Sequence, residues 1–187
     1  MPFGVQRAST WEPDSAQSEL RRVNALGQIP TLQFDDGSVM TESAAILIQL
    51  GLLFPQAALM PQEAAARAQA LRGLVFIAAN CYAAIGVIDY PERWCAEGSE
   101  DEHQRLRQGA RARLHSYWEI FADQFGTTEP FLGGAAPGAL DMLAAVVSRW
   151  SGTRAHLKAQ RPELHALLQR IEGQTELAPV FARHWPT

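Results

Sequence analysis

Residues 24–47 compress a proline-led strand, a tight turn, a returning strand and a helix start into one short run, and few globular folds accept that order. Thr31 to Phe34 reads as a strand entered through Pro30. Asp36-Gly37 supplies the positive φ that a two-stranded hairpin needs. Ser38 to Met40 reads as the returning strand, and Thr41 or Glu42 opens a helix running to about Leu53 with Ala44, Ile46, Leu47 and Leu50 on its apolar side.

What flanks this run sets the fold class. Phe3 to Arg7 reads as a short strand, and Asp14 or Ser15 as the cap of a helix to about Val23. The prolines between Phe54 and Pro61 mark a loop. Beyond it the spacing turns helical. Leu71, Leu74, Val75, Ala78, Cys81, Tyr82 and Ile85 recur at three- and four-residue steps, as do Leu106, Ala110, Leu114, Tyr117, Phe121 and Phe125. Further helices are expected over Ala139 to Trp150, from Pro162 to Gly173, and from about Glu176 to His184. Strands first and helices after give a small α+β domain over residues 1–54 joined to an all-α domain over 61–187.

Composition narrows the function. The chain is 47% hydrophobic and 19% charged, enough apolar surface to bury a sizeable core. Its net charge is −4 with acids and bases interspersed, so no basic stripe offers itself to nucleic acid. The apolar run from Leu74 to Ile88 is too short to span a bilayer and reads as a buried helix, and the N-terminus carries no signal core. Cys81 and Cys95 form neither a CxxC nor a metal spacing, which suggests a reduced, cytoplasmic setting. The five histidines are scattered singly and read as surface or capping residues, with no metal expected.

Asn24-Ala-Leu-Gly-Gln-Ile-Pro-Thr-Leu resembles the Asn-Pro-x-Gly-x-Val-Pro-x-Leu run of the glutathione S-transferase superfamily. Thr41-Glu42-Ser43-Ala44-Ala45-Ile46 is similar to its Glu-Ser-x-Ala-Ile signature. Phe131-Leu132-Gly133 and Gly138-Ala139-Leu140-Asp141 look like the segment opening a helix of its second domain. The resemblance implies a thioredoxin-like N-terminal domain and a helical C-terminal domain, with glutathione as co-substrate. It implies a cis peptide at Ile29-Pro30, with the Ile29 backbone meeting the cysteinyl part of glutathione. Glu42 would pair the γ-glutamyl amine, and Ser43, at a helix start, would donate to its carboxylate. Gln28 would approach the glycyl end. The plain alternatives are an edge-strand proline in trans at Pro30 and simple capping by Glu42-Ser43. Asp141 reads as structural, an acid in the first turn of a buried helix.

The alignment also implies that the chain starts at the family's second strand. The first strand and helix, with the residue that activates the thiol, would then be missing. Phe3 to Arg7 could slide into the central place of the sheet, or a neighbouring chain could supply a strand, or the N-terminal region could be partly disordered. The catalytic group is left open among Ser9, Thr10, Cys81 and Tyr82, with Asp89 also near the cleft. Each has an ordinary alternative: a turn or cap for Ser9 and Thr10, a small buried residue for Cys81. Tyr90-Pro-Glu-Arg-Trp94 reads as a solvated helix exit or a substrate contact. Leu74, Phe76, Ile77 and Tyr82 are the expected lining of an apolar substrate pocket. Two functions follow: a glutathione S-transferase-like enzyme that conjugates or lyses a small electrophile, or a non-catalytic binding or scaffold protein on that fold. The family resemblance implies a homodimer; neither a nucleic acid nor a membrane partner is expected.

Overall fold

A computed structural model describes residues 3–8, 15–127 and 129–186. The hairpin forms as its residues dictate. Strand β1 (Thr31–Gln33) pairs antiparallel with β2 (Val39–Thr41), with Thr31 opposite Thr41, Leu32 opposite Met40 and Gln33 opposite Val39. Gly37 takes φ 83° in the turn, and the Asp36 carboxylate accepts the Ser38 N–H at 2.8 Å and its hydroxyl at 2.6 Å. Those two bonds stabilise the carboxylate and hold its pKa below the usual range.

The expected strand at Phe3 to Arg7 does not form. Residues 3–8 have no regular structure, and Phe3 and Val5 are exposed. Two alternate apolar side chains beside Gly4 bury nothing, so nothing repays the entropy of ordering a strand. Sliding this segment into the centre of the sheet is therefore ruled out, and among the described residues the sheet has two strands. Helix α1 (Gln17–Val23) follows Ala16, which gives no side-chain cap; Asp14 lies outside the described residues.

Helix α2 (Ser43–Leu53) starts at Glu42. At Gly51 an added Cβ would lie 2.5 Å from the Met60 side chain, so glycine lets the next loop close onto α2. That loop holds a 3-10 turn (Pro55–Ala57), and Glu63 then caps α3 (Ala64–Phe76) by accepting the N–H groups of Ala65 and Ala66. The helical course runs on through a π-helical segment (Ile77–Tyr82) into α4 (Ala83–Asp89). By length and composition the whole stretch from Ala64 to Asp89 could cross a membrane. Here Leu74, Ile77, Cys81, Ile85 and Ile88 are packed inside the protein, as in a core helix.

Helix α5 (Glu100–Phe125) opens with a capping box between Ser99 and Glu102 and buries Leu114, Trp118 and Phe121. Helix α6 (Ala139–Val147) stops three residues short of the expected Trp150. Asp141, fully buried, accepts the N–H groups of Leu132 at 2.7 Å and of Gly133 and Gly138 at 2.9 Å. Burial raises its pKa, and the three bonds oppose that rise. It thus ties the preceding loop to the helix, as a structural acid should. Helix α7 (Thr153–Gln160) has no counterpart in the sequence reading, because Leu157 is the lone large apolar residue in it. Helices α8 (Pro162–Glu172) and α9 (Ala178–His184) complete the core, with Glu172 bridging Arg149 and Arg154.

Candidate functional site

The loop between α1 and β1 is organised by one buried amide. Asn24 Nδ2 donates to the Gln28 carbonyl at 2.9 Å and to Thr31 Oγ1 at 3.1 Å, while its Oδ1 accepts the Leu26 N–H at 3.1 Å. The Thr31 hydroxyl donates to the same Gln28 carbonyl at 2.9 Å. Gly27 turns the chain at φ 61°, and its N–H donates to the Asn24 carbonyl. This scaffold delivers the Ile29-Pro30 peptide, which is cis, onto the surface with the Ile29 side chain 61% exposed. Asn24 sits in the run that carried the resemblance, yet sequence reasoning gave it no task. A polar residue just after a helix and before a proline turn was the available signal.

On the neighbouring edge, Glu42 adopts φ 67° and ψ 112°, a conformation rare for a residue with a side chain. Strain of this kind costs roughly 1–3 kcal/mol and collects at functional positions. The Glu42 carbonyl still accepts the Ile46 N–H at 2.9 Å, so the backbone begins the helix. Its carboxylate caps nothing, and among the described residues it has no hydrogen-bond partner. Simple side-chain capping by Glu42 is thereby excluded. Ser43 follows as the first helical residue.

The facing wall comes from the second helical stretch. The π-helical turn, where Asn80 Nδ2 donates back to the Phe76 carbonyl, sets Tyr82 against Trp150 edge to face, ring centroids 5.6 Å apart. Burial, and then the charges of Glu42 and Asp89, push the Tyr82 phenol above its ordinary pKa, so it remains a proton donor. Asp89 ends α4 with no partner among the described residues, and burial raises its pKa also. The Arg93 guanidinium lies over the Tyr90 ring at 3.8 Å.

These walls enclose a cavity of about 570 Å³. Gln28, Ile29, Pro30, Glu42, Ser43 and Tyr82 all line it. Two acidic residues, Glu42 and Asp89, and two arginines, Arg21 and Arg93, also line it. The site offers acid and hydroxyl contacts on one wall and aromatic contacts on the other.

Other expected residues fall elsewhere. Leu74, Ile77 and Cys81 lie three and four residues apart on one helical face and have no exposed surface. That face meets the core, whereas Ala78, Tyr82 and Gly86 belong to the face that lines the cavity. Phe76 packs against Tyr117, Phe121 and Phe125. None of Leu74, Phe76 or Ile77 lines the cavity, since apolar periodicity marks the core face. Burial pushes the Cys81 thiol up to about 12, which removes it as a thiolate nucleophile near neutral pH. Ser9 and Thr10 lie outside the described residues. Among the described residues no group of three His, Cys, Asp or Glu side chains could hold a metal ion. Trp150 and Gly86 line the cavity without having been singled out by the sequence reading.

Known proteins have a similar fold. Residues 2–51 match the family described as glutathione S-transferase, N-terminal domain. A relative from Escherichia coli (strain K12), the uncharacterized GST-like protein YncG, is 26% identical over 185 residues, covering 98% of this chain and 87% of its own length. A glutathione transferase homolog from Sulfitobacter, solved with bound glutathione, superposes with a TM-score of 0.75 at 19% identity, over 89% of this chain and 78% of that one. A glutathione transferase from Methylococcus capsulatus str. Bath gives a TM-score of 0.66 at 27% identity, over 87% and 76% of the two chains. The fold is that of the glutathione S-transferase superfamily: a thioredoxin-like N-terminal part followed by a helical C-terminal part. Over most of its length the chain is similar to glutathione S-transferase-like proteins, and residues 2–51 carry the match to the family's N-terminal domain.

Proposed function

We propose that this protein binds glutathione in the cavity and conjugates it to, or uses it to lyse, a small electrophile. One observation carries the reading. Five residues from two separate segments, Gln28, Ile29, Pro30, Glu42 and Ser43, converge on a single cavity that faces an aromatic wall. The Ile29 N–H and C=O would meet the cysteinyl unit, Glu42 the γ-glutamyl amine, Ser43 the adjoining carboxylate, and Gln28 the glycyl end. Ser43 is suited to its task because the first turn of α2 has N–H groups to offer an anion. In this proposal residues 1–54 form the glutathione-binding domain and 61–187 the substrate domain. The protein works as a homodimer in the reducing cytoplasm, where Cys81 and Cys95 stay free thiols.

A second reading, binding without catalysis, draws support from Cys81 and Tyr82. Burial holds the first as a thiol, and burial with two carboxylates keeps the second a phenol, so neither serves as a base near neutral pH. Tyr82 could still donate a hydrogen bond to a glutathione thiolate. Calorimetric titration with glutathione, on the parent and on Glu42→Ala, followed by a conjugation assay with a generic electrophile, separates these readings. Absence of binding sinks the enzyme reading. Binding without turnover selects the second. A Glu42→Ala variant that binds as tightly as the parent removes Glu42 from the site. Sedimentation at a single-chain mass at micromolar concentration would refute the homodimer.

A further inference from the structure

Four glycines lie inside helices, and their surroundings differ. An added Cβ at Gly51 would come within 2.5 Å of Met60, and at Gly73 within 2.7 Å of Leu140, so close packing explains both. At Gly86 and Gly109 an added Cβ would meet nothing within 4 Å. Glycine is the poorest helix former short of proline, so an unpacked helical glycine sacrifices stability. Gly109 is on the open surface of α5, while Gly86 lines the cavity.

The neighbours of Gly86 give the gap a chemistry. Tyr82, Gly86 and Asp89 follow one helical face at steps of four and three residues. The missing side chain leaves an opening between a phenol ring and a carboxylate, and Trp150 stands against the Tyr82 ring. The two rings stand at 81°, so a flat guest can lie on the face of one with its edge toward the other. Asp89, unpaired among the described residues at the unfavourable C-terminal end of α4, is suited to accept a hydrogen bond from a donor or to meet a positive charge. We infer that Gly86 determines specificity, holding open a slot beside Tyr82 and Trp150 for a planar aromatic group whose cationic or hydrogen-bond-donating substituent meets Asp89. That the group belongs to the electrophile rests on the glutathione reading above; the slot itself does not.

The fluorescent planar cation 4-aminobenzamidine tests the slot without glutathione. Gly86→Leu should weaken its binding by about tenfold through lost space and contact. Asp89→Asn should weaken it by about fivefold through the lost charge-assisted bond. Gly86→Ala should raise the melting temperature, as Gly109→Ala should on the open surface, and that common rise shows that the fold is intact. Only Gly86→Ala should also weaken the amidine. Saturating glutathione should leave the amidine affinity unchanged, and benzoate, flat but anionic, should fail to displace it. No amidine binding, binding indifferent to Gly86→Leu, displacement by benzoate, or competition with glutathione would each overturn the inference. If glutathione does not bind but the amidine does so in a Gly86-dependent way, the slot stands and the glutathione reading falls.

Discussion

Between residues 15 and 53 the buried positions are Leu20, Asn24, Gly27, Ala44 and Gly51, small or polar except for Leu20. Beyond Ala64 the fully buried set includes Leu74, Trp118, Phe121, Leu157, Leu168 and Ile171. The first region keeps its shape through an amide network, a turn carboxylate and a strained Glu42; the second through large apolar side chains and the Phe76–Phe121–Phe125 cluster. Local polar scaffolds can be perturbed without unfolding the whole molecule, whereas cores transmit damage globally. The proposed glutathione contacts thus rest on the part held by local polar bonds, set against a helical part held by an apolar core.

The largest loss is expected in the helical core. Trp118→Ala leaves a large void beside Phe121 and should cost about 3–5 kcal/mol, read as a shift in the urea midpoint. A loss below about 1 kcal/mol would mean that the helical core does not dominate stability. Asp141→Ala should follow. It strips the acceptor from three N–H groups, of which that of Gly138 is buried and those of Leu132 and Gly133 are partly buried, and should cost about 3 kcal/mol, given about 1–3 kcal/mol for a buried group left unmatched.

Asn24→Ala probes the other region. It deletes three side-chain hydrogen bonds but almost no apolar contact, and should cost about 1–2 kcal/mol. Glutathione affinity should fall by more than the melting temperature suggests, by about tenfold, because the Ile29 backbone loses its scaffold. Equal losses in Asn24→Ala and Trp118→Ala would erase the distinction between the regions. Glu42→Gly is smaller and has two signs. Glycine accepts φ 67° freely and should return roughly 1 kcal/mol of stability. The same change removes the free carboxylate and should weaken glutathione. Tighter binding by the more stable variant would refute the role given to Glu42.

Legibility followed range. The hairpin and the start of α2 were readable because Asp36-Gly37 and Thr41-Glu42-Ser43 act on their neighbours. The resemblance then located the cavity wall at Gln28, Ile29, Pro30, Glu42 and Ser43, which a propensity argument could not have joined. The opposite wall was misread for a physical reason. Leu74 and Ile77 are spaced as a helix face should be, but spacing cannot say whether that face meets the core or a cleft. The π-helical turn before Ala83 decides which residues emerge, and no local signal announces it. Phe3 to Arg7 failed as a strand because strand formation needs a partner. Helix α7 was overlooked because its contacts with α5 and α8, rather than its own apolar pattern, sustain it.

The smallest predicted effect lies at the α5–α7 contact, within the helical region. His115 stacks on His156 with ring centroids 4.3 Å apart, His115 Nε2 lies 3.3 Å from the Ser151 carbonyl, and His156 Nε2 lies 2.8 Å from the Glu119 carboxylate. Burial first, then His156 and Arg111, lower the His115 pKa, while Ser151 and Glu119 oppose the shift. The unfolded chain therefore takes up its proton before the folded one does as pH falls. The stability linked to His115 is present above about pH 6.5 and is lost below it. Melting temperatures measured from pH 7.5 to pH 5 should decline more steeply in the parent than in His115→Phe, which keeps a ring but no titration. Parallel profiles would show that His115 takes up its proton at the same pH in the folded and unfolded states. A steeper profile in His115→Phe would reverse the sign of the argument.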